Sequence, residues 1–327
     1  MKRTRSRIAL YGLLAAGLWL AGCKPRESSS EAKPRKPRIA LIMKSLANEF
    51  FQTMEQGAQA HHKTHADEYE LIVAGIKDEL DVARQINLVE QMAAQGVDAI
   101  VIAPADSKAL LPVCKKAVDA GIIVVNIDNK FDRETLRQTG AQIPFVGPDN
   151  RKGAAKVGAY LASRLRPGDK AAIIEGAPNA FNGIQRKLGF EDAMKAAGIR
   201  VAASQSGYWE TDKANAVVAA LINEHPDLKA ILCANDSMAL GAVAALRAAG
   251  KLKDVLVAGY DNISAAQELL RKGELLATAD QHADQLAVYG IEYALEMLRR
   301  GGTPADRETP VDLITAETLR NAAQPAK

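Results

Sequence analysis

The 327-residue sequence predicts an α/β protein made of two Rossmann-like, doubly wound parallel-sheet domains. Three observations support this fold class. Short apolar runs recur along the chain, Ala-rich stretches with helical spacing lie between them, and the alternation pauses once, near 145–150. Alternating strands and helices build parallel sheets that are covered on both faces, and the pause divides the chain into two similar halves of four βα units each.

The predicted strands are short and rich in β-branched residues, as a sheet buried on both faces requires. They are Ile39–Lys44, Glu70–Ile76, Ala99–Ala103 and Ile122–Asp128 in the first half, and Ala171–Glu175, Arg200–Ala203, Ala230–Ala234 and Val255–Tyr260 in the second.

The predicted helices occupy the stretches between these strands. They are Phe51–His65, Val82–Gln95, Ser107–Ala120, Arg151–Leu165, Ile184–Ala197, Lys213–Asn223, Ser237–Ala249 and Asp284–Arg299. A glycine follows four of them, which is typical of a helix C-terminus because glycine adopts left-handed backbone angles without steric cost. These glycines are Gly96, Gly121, Gly198 and Gly250.

The first 22 residues are predicted to be a signal peptide. A basic start precedes the apolar run Ile8–Leu20, which is short for a membrane span. The run closes on Leu-Ala-Gly-Cys, which resembles a bacterial lipobox, and this resemblance implies lipidation at Cys23. An uncleaved anchor helix is the alternative. Both interpretations predict a chain that is exported and held at a bacterial membrane, facing the periplasm or the cell exterior.

Residues 23–38 are predicted to be a lipidated cysteine and a disordered tether, because they combine charges and prolines without apolar periodicity. The whole chain carries 42 basic and 39 acidic residues. After 1–38 are set aside, 32 basic and 37 acidic residues remain, which is a net charge of −5. A mildly acidic body lacks the basic surface that nucleic-acid binding requires. Cys114 and Cys233 lie far apart in apolar stretches, so two buried free thiols are expected.

Polar and aromatic side chains follow nearly every predicted strand. Ligands of doubly wound sheets bind outside the carboxyl ends of the strands, so these positions are candidate site residues. Carboxylates, amides and basic groups recognise hydroxyl groups, and aromatic rings stack on the C–H faces of a sugar. Each residue alone also has an ordinary interpretation, since Asp, Asn and Ser are common helix caps and Phe50 and Phe51 suit a core.

Other chemistries find little support in the sequence. There is no glycine-rich dinucleotide or phosphate loop and no nucleophile elbow, so no cofactor and no enzymatic activity are expected. His61 and His65 have the spacing of a metal pair on one helix face, but no carboxylate partner is evident. We therefore expect no metal site. A sugar-modifying enzyme remains a less favoured alternative.

Several segments together resemble the periplasmic sugar-binding proteins of the ribose-binding type, which serve ABC transporters. The resemblance runs from Arg38 to about Thr318 and is most specific in Asn48–Phe51, Asn235–Ala242, Gly259–Asp261, Ala277–Gln281 and Pro310–Leu313. Sugar-responsive repressors share this core, but they carry a helix-turn-helix where this chain has its leader and tether.

This resemblance implies a monosaccharide or polyol in a cleft between two domains joined by three hinge strands. The implied ligand-binding residues are Lys44, Asn48, Phe50, Phe51, Asp128, Asn129, Arg186, Trp209, Asn235, Tyr260, Asp261 and Gln281. Three positions depart from ribose binders: Asn129 replaces an Arg, Ala103 an Asn, and Lys44 a small residue. These departures argue against ribose itself and leave another pentose, a hexose, a deoxy sugar or an acyclic polyol open.

The expected organisation is an N-terminal domain of residues 39–147 and 282–309 and a C-terminal domain of residues 148–281 and 310–327. The expected partners are an ABC permease and its ATPase, and the chain itself is expected to be a monomer. A receptor of the same fold, reporting its ligand to a sensor kinase or a chemoreceptor, is the alternative.

Overall fold

A computed structural model describes residues 35–322 of the chain. The strands are β1 (Arg38–Ser45), β2 (Glu70–Ile76), β3 (Ala99–Ile102), β4 (Ile123–Ile127), β5 (Phe145–Pro148), β6 (Lys170–Glu175), β7 (Arg200–Ser206), β8 (Leu228–Cys233), β9 (Leu256–Ala258), β10 (Thr278–Asp280), β11 (Arg307–Thr309) and β12 (Asp312–Ile314). The helices are α1 (Glu49–Thr64), α2 (Val82–Ala94), α3 (Leu111–Asp119), α4 (Arg133–Thr139), α5 (Asn150–Ala162), α6 (Phe181–Ala196), α7 (Thr211–Glu224), α8 (Asp236–Ala248), α9 (Ser264–Lys272), α10 (Ala283–Arg300) and α11 (Ala316–Ala322).

The strands form two parallel sheets, which confirms the predicted fold class. The larger sheet has the order β11-β5-β4-β3-β1-β2, and every pairing in it is parallel. The smaller sheet has the order β7-β6-β8-β9 and is also parallel. The antiparallel pair β10-β12 lies beside it, linked through a bridge between Ala258 and Ala277.

Three segments connect the larger sheet with the smaller one. They follow β5, β10 and β11, at Pro148, Gln281 and Pro310. The resemblance placed the crossings near Gly147, Gln281 and Pro310. The residue boundaries of the two domains stay a prediction.

Both faces of the larger sheet are covered, as β1 illustrates. Ile39, Leu41 and Met43 pack into one apolar cluster, whereas Ala40 and Ile42 pack into another on the opposite face. All five side chains are fully buried, and burial of each large aliphatic side chain contributes about 1.5–3 kcal/mol. The sheet therefore holds its carboxyl-end loops on a rigid base.

Helix ends largely follow the sequence pattern. Gly96, Gly121, Gly198 and Gly250 have φ values of 69°, 85°, 70° and 69°, which confirms their predicted role after helices. The third helix starts at Leu111 and not at Ser107 as predicted. The carboxylate of Asp106 accepts the amides of Lys108 and Ala109 there, which holds this stretch as a turn.

Cys114 and Cys233 are both free and buried, as predicted. Burial raises the pKa of the Cys114 thiol to about 12 and also raises that of Cys233. Such thiols stay protonated and are poor nucleophiles.

The signal peptide, Cys23 and most of the tether lie outside the described residues. Within 35–322, no helix is long and apolar enough to span a bilayer.

Candidate functional site

A small cavity lies where the carboxyl ends of the two sheets face each other, as expected for doubly wound sheets. Its volume is about 20 Å³. Twelve residues line it, and ten of them are predicted site residues. The lining consists of Lys44, Asn48, Phe50, Phe51, Glu79, Asp128, Asn182, Arg186, Trp209, Asn235, Asp261 and Gln281.

The N-terminus of α1 builds one aromatic wall of this cavity. Asn48 is the N-cap, and its side-chain oxygen accepts a hydrogen bond from the amide of Phe50 at 3.1 Å. This cap fixes the first helical turn, which carries Phe50 and Phe51. The two rings meet edge to face with centroids 5.0 Å apart. Asn48 is thus a helix cap and also lines the cavity, so the two interpretations of this residue do not exclude each other.

Lys44 is the central charge of the first wall. Its Nζ lies 3.3 Å from Asp128 Oδ2 and 3.8 Å from Glu79 Oε2, and all three side chains are buried. The same nitrogen lies 5.3 Å from the ring centre of Phe51 and 5.4 Å from that of Trp209. Burial alone lowers the pKa of Lys44, but the attraction of the two carboxylates outweighs burial and raises it above its usual value. Lys44 is therefore charged.

Arg186, on α6, organises the opposite wall. Its Nε donates to Asn150 at 2.8 Å, and its Nη1 donates to the Ala234 carbonyl at 2.9 Å and to Asp261 at 3.3 Å. The guanidinium lies 3.8 Å above the ring of Tyr260. Gln281 completes the group by donating to Asp261 at 2.7 Å. Burial raises the pKa of Asp261, and Arg186 opposes this rise.

Trp209 lies in the loop after β7, with its indole packed closely against two glycines. A methyl group added at Gly176 would approach the indole to 2.1 Å, and one at Gly183 to 2.9 Å. Glycine at these two positions lets the backbone pack directly against the ring. The indole can then present its remaining surface to the cavity.

Three site residues have backbone angles that L-residues seldom adopt. Asp128, Trp209 and Asp261 have φ values of 58°, 70° and 120°. Such conformations cost about 1–3 kcal/mol each and cluster at ligand sites. The fold therefore aims these side chains into the cavity at some expense of stability.

Two predicted residues do not line the cavity. The side-chain oxygen of Asn129 accepts from Ser107 and from the backbone amide of Asn182, and its nitrogen donates to the Pro104 carbonyl, so both polar atoms already have protein partners. It joins the two walls instead of facing the cavity. Tyr260 lies behind Arg186 as the floor on which the guanidinium stacks.

Two lining residues were not singled out from the sequence. Asn182 lies one helical turn before Arg186 and donates to Asp128 at 3.5 Å. Glu79 follows β2, so the rule that strand ends carry site residues would have found it. Its Oε1 accepts from Asn48 at 3.3 Å.

Four buried polar atoms at this cavity have no hydrogen-bond partner among the described residues. They are Glu79 Oε2, Asp128 Oδ2, Arg186 Nη2 and Gln281 Oε1. Buried polar groups are nearly always paired, and an unpaired one costs about 1–3 kcal/mol. Three acceptors and one donor enclosed between aromatic rings suit a neutral solute that carries several hydroxyl groups.

The histidine pair serves packing in this structure. The rings of His61 and His65 stack with centroids 4.0 Å apart, and His61 Nδ1 shares a hydrogen bond of 2.9 Å with the Tyr69 hydroxyl. Across residues 35–322, no group of three potential ligands is arranged to hold a metal ion.

Residues 39–303 match the family described as periplasmic binding protein domain. The chain is 57% identical to the D-ribose/D-allose-binding protein of Pseudomonas aeruginosa, over 97% of this chain and 100% of the relative. It is similar to an ABC transporter solute-binding protein from Burkholderia multivorans, with 58% identity, a TM-score of 0.84, and coverage of 86% of this chain and 100% of the other.

A third relative is a periplasmic solute-binding protein of an ABC transporter from Actinobacillus succinogenes, whose structure contains D-allose. It is 36% identical with a TM-score of 0.82, covering 88% of this chain and 100% of the other. These matches confirm the resemblance stated from the sequence and the expectation that the chain is not an enzyme. The chain belongs to the periplasmic binding protein domain family, and its role is to bind a solute.

Proposed function

We propose that the chain binds an aldose of the ribose and allose type in this cavity and delivers it to an ABC permease. The observation that carries the proposal is the set of four buried polar atoms without a hydrogen-bond partner among the described residues, which offer acceptors and a donor to hydroxyl groups. The rings of Phe50, Phe51 and Trp209 line the same cavity and offer surfaces for C–H faces. The relatives support it, since one is named for D-ribose and D-allose and another contains D-allose.

D-Ribose and D-allose fit one site because their pyranose rings have the same configuration at carbons 2, 3 and 4. D-Allose carries an additional hydroxymethyl group at carbon 5. Of the three departures from ribose binders, only Lys44 lines the cavity, and this departure argues for D-allose over D-ribose. Because the lining side chains are buried, the two walls must separate about the hinge strands before a sugar enters.

We expect D-allose to stabilise the protein against thermal unfolding, with the midpoint measured by differential scanning fluorimetry. A ligand at 100 times its Kd adds about 2.7 kcal/mol. Trp209 is the one tryptophan besides Trp19 of the leader, so its emission should change and saturate at one sugar per chain. D-Glucose, which differs from D-allose only at carbon 3, is the control and should bind far more weakly. Absence of any response to D-ribose and D-allose would refute the proposed function.

We also propose that the mature protein is a monomer anchored by lipid at Cys23, outside the cytoplasm, with the permease and its ATPase as partners. The supporting feature is the Leu-Ala-Gly-Cys sequence at the end of the apolar leader. The tether of residues 23–38 then separates the anchor from the binding domains.

Cys23→Ser is expected to move the protein from the membrane to the soluble fraction without changing its affinity for sugar. A thioether-linked lipid needs the cysteine sulfur, and the tether keeps the anchor away from the cavity. Membrane fractionation and mass spectrometry of the N-terminus measure the outcome. Retention of the variant in the membrane with its leader intact would support the uncleaved anchor helix instead.

A further inference from the structure

We propose that Glu79 determines specificity in this site by accepting a hydrogen bond from the exocyclic hydroxyl of an aldohexose, a group that a pentopyranose lacks. The inference rests on the proposed function, because it names one contact of the same site.

Glu79 has the burial and the spare hydrogen-bonding capacity of a ligand contact. It is 6% exposed and lines the cavity from the loop after β2. Its Oε1 already accepts from Asn48, whereas its Oε2 accepts no hydrogen bond from any described residue. A buried carboxylate oxygen is unfavourable without a hydrogen-bond donor, and no described residue donates one to Oε2.

The charge of Lys44 does not explain why a second carboxylate, that of Glu79, is buried beside it. Lys44 lies closer to Asp128, at 3.3 Å, than to Glu79, at 3.8 Å. One carboxylate would neutralise Lys44, and burying a second one beside it is unfavourable unless further hydrogen bonds satisfy it. Consistently, burial raises the pKa of Glu79 despite the opposing attraction of Lys44. A hydroxyl of the ligand would provide the missing donor.

The position of Glu79 identifies which hydroxyl this is. Arg186, Asp261 and Gln281 form one polar group beside the hinge segment that follows β10. Glu79 belongs to a separate group with Lys44 and Asn48, on the side of the partly exposed Glu210. The hinge-side group, together with Asp128, supplies enough partners for ring hydroxyls. A substituent that projects away from the ring is what remains for Glu79.

Glu79→Gln tests the contact because it keeps the size of the side chain and one acceptor for Asn48 while removing the carboxylate. Calorimetric titrations with D-allose, 6-deoxy-D-allose and D-ribose compare ligands with and without the exocyclic hydroxyl. We expect the variant to lose about tenfold or more in affinity for D-allose. Its affinities for the other two sugars should change less than about twofold, within the ordinary scatter of neutral substitutions.

Glu210→Gln is the matched control, since Glu210 is a nearby acid that pairs with Lys213 and does not line the cavity. It should leave all three affinities unchanged. An equal loss for all three sugars in Glu79→Gln would show that Glu79 only positions Lys44 and Asn48, and would overturn the inference. Unchanged affinity for D-allose would overturn it as well. Glu79→Ala repeats the comparison if the amide variant is unstable, which its unliganded melting temperature reports.

Failure of the wild-type protein to bind any of the sugars would instead refute the proposed function. Wild-type protein that binds D-ribose but not D-allose would leave the proposed function standing and overturn the role of Glu79.

Discussion

Replacing Arg186 by alanine is expected to abolish sugar binding and to lower the free energy of unfolding by about 3–5 kcal/mol. The side chains of Arg186 and Asp261 are only 2% and 6% exposed, so removal of the guanidinium leaves a buried carboxylate without its counter-ion. The variant also loses the buried donor Nη2 of this cavity-lining residue, which has no hydrogen-bond partner among the described residues. Urea unfolding measures the stability, and calorimetry with D-allose measures the binding.

The stability loss in Arg186→Ala should depend on pH. Burial already raises the pKa of Asp261 above its unfolded value, and the loss of Arg186 removes the attraction that opposes this rise. A folded-state pKa above the unfolded one means that stability falls as pH rises from the unfolded pKa through the folded one. We therefore expect the variant to be less impaired under mildly acidic conditions than at neutral pH.

A second substitution separates the two effects of Arg186→Ala. Adding Asp261→Asn removes the uncompensated charge, so it should restore part of the stability and abolish the added pH dependence, while binding stays lost. Wild-type stability in Arg186→Ala would contradict the proposed burial of this ion pair. Wild-type affinity would remove Arg186 from the site.

Most of the candidate site was predictable because parallel sheets bring the residues after their strands to one edge. Asp128, Asn235 and Asp261 each directly follow a short apolar run, and the structure places all three at the cavity. The sequence pattern does not show whether a side chain faces the cavity or lies behind another residue. Tyr260 immediately precedes Asp261, yet its ring lies behind Arg186, and only the packing of α6 against the smaller sheet reveals this.

Asn129 illustrates a second limit of sequence patterns. From the sequence alone, the amide of Asn129 is as good a candidate for hydroxyl binding as the carboxylate of Asp128 beside it. In the structure, Ser107, Pro104 and Asn182 all form hydrogen bonds with this amide, because α6 and the loop after β3 approach the same point. The residue partners of an amide depend on tertiary contacts far apart in the chain.

Three short helices, α4, α9 and α11, were not predicted from the sequence. Helix α4 spans seven residues and buries none of its side chains, so its sequence contains no apolar stripe. Helix α9 spans nine residues and buries Ala266, Leu269 and Leu270, whose i, i+3, i+4 spacing is that of an amphipathic helix, so its apolar stripe was present in the sequence and was missed. Its start at Ser264 has no side-chain cap. Such short elements are stabilised mainly by tertiary packing.

Asp128→Asn is expected to weaken binding of D-allose by about 1.5–3 kcal/mol, the usual contribution of a hydrogen bond to a charged group. Asp128 is 1% exposed, and its Oδ2 has an ion pair with Lys44 but no hydrogen-bond partner among residues 35–322. Asparagine keeps the shape and tolerates the positive φ of 58° at this position. Its amide, however, cannot supply two charged acceptors to adjacent hydroxyls.

The unliganded Asp128→Asn protein should remain folded, because Glu79 still offers a carboxylate to Lys44 at 3.8 Å. Asp132→Asn provides the control, since Asp132 is another acid after β4 that caps α4 and does not line the cavity. It should bind D-allose like the wild type. Equal affinities in the two variants would remove Asp128 from the site. A loss confined to Asp128→Asn would tie sugar binding to a carboxylate that the strained backbone after β4 directs into the cavity.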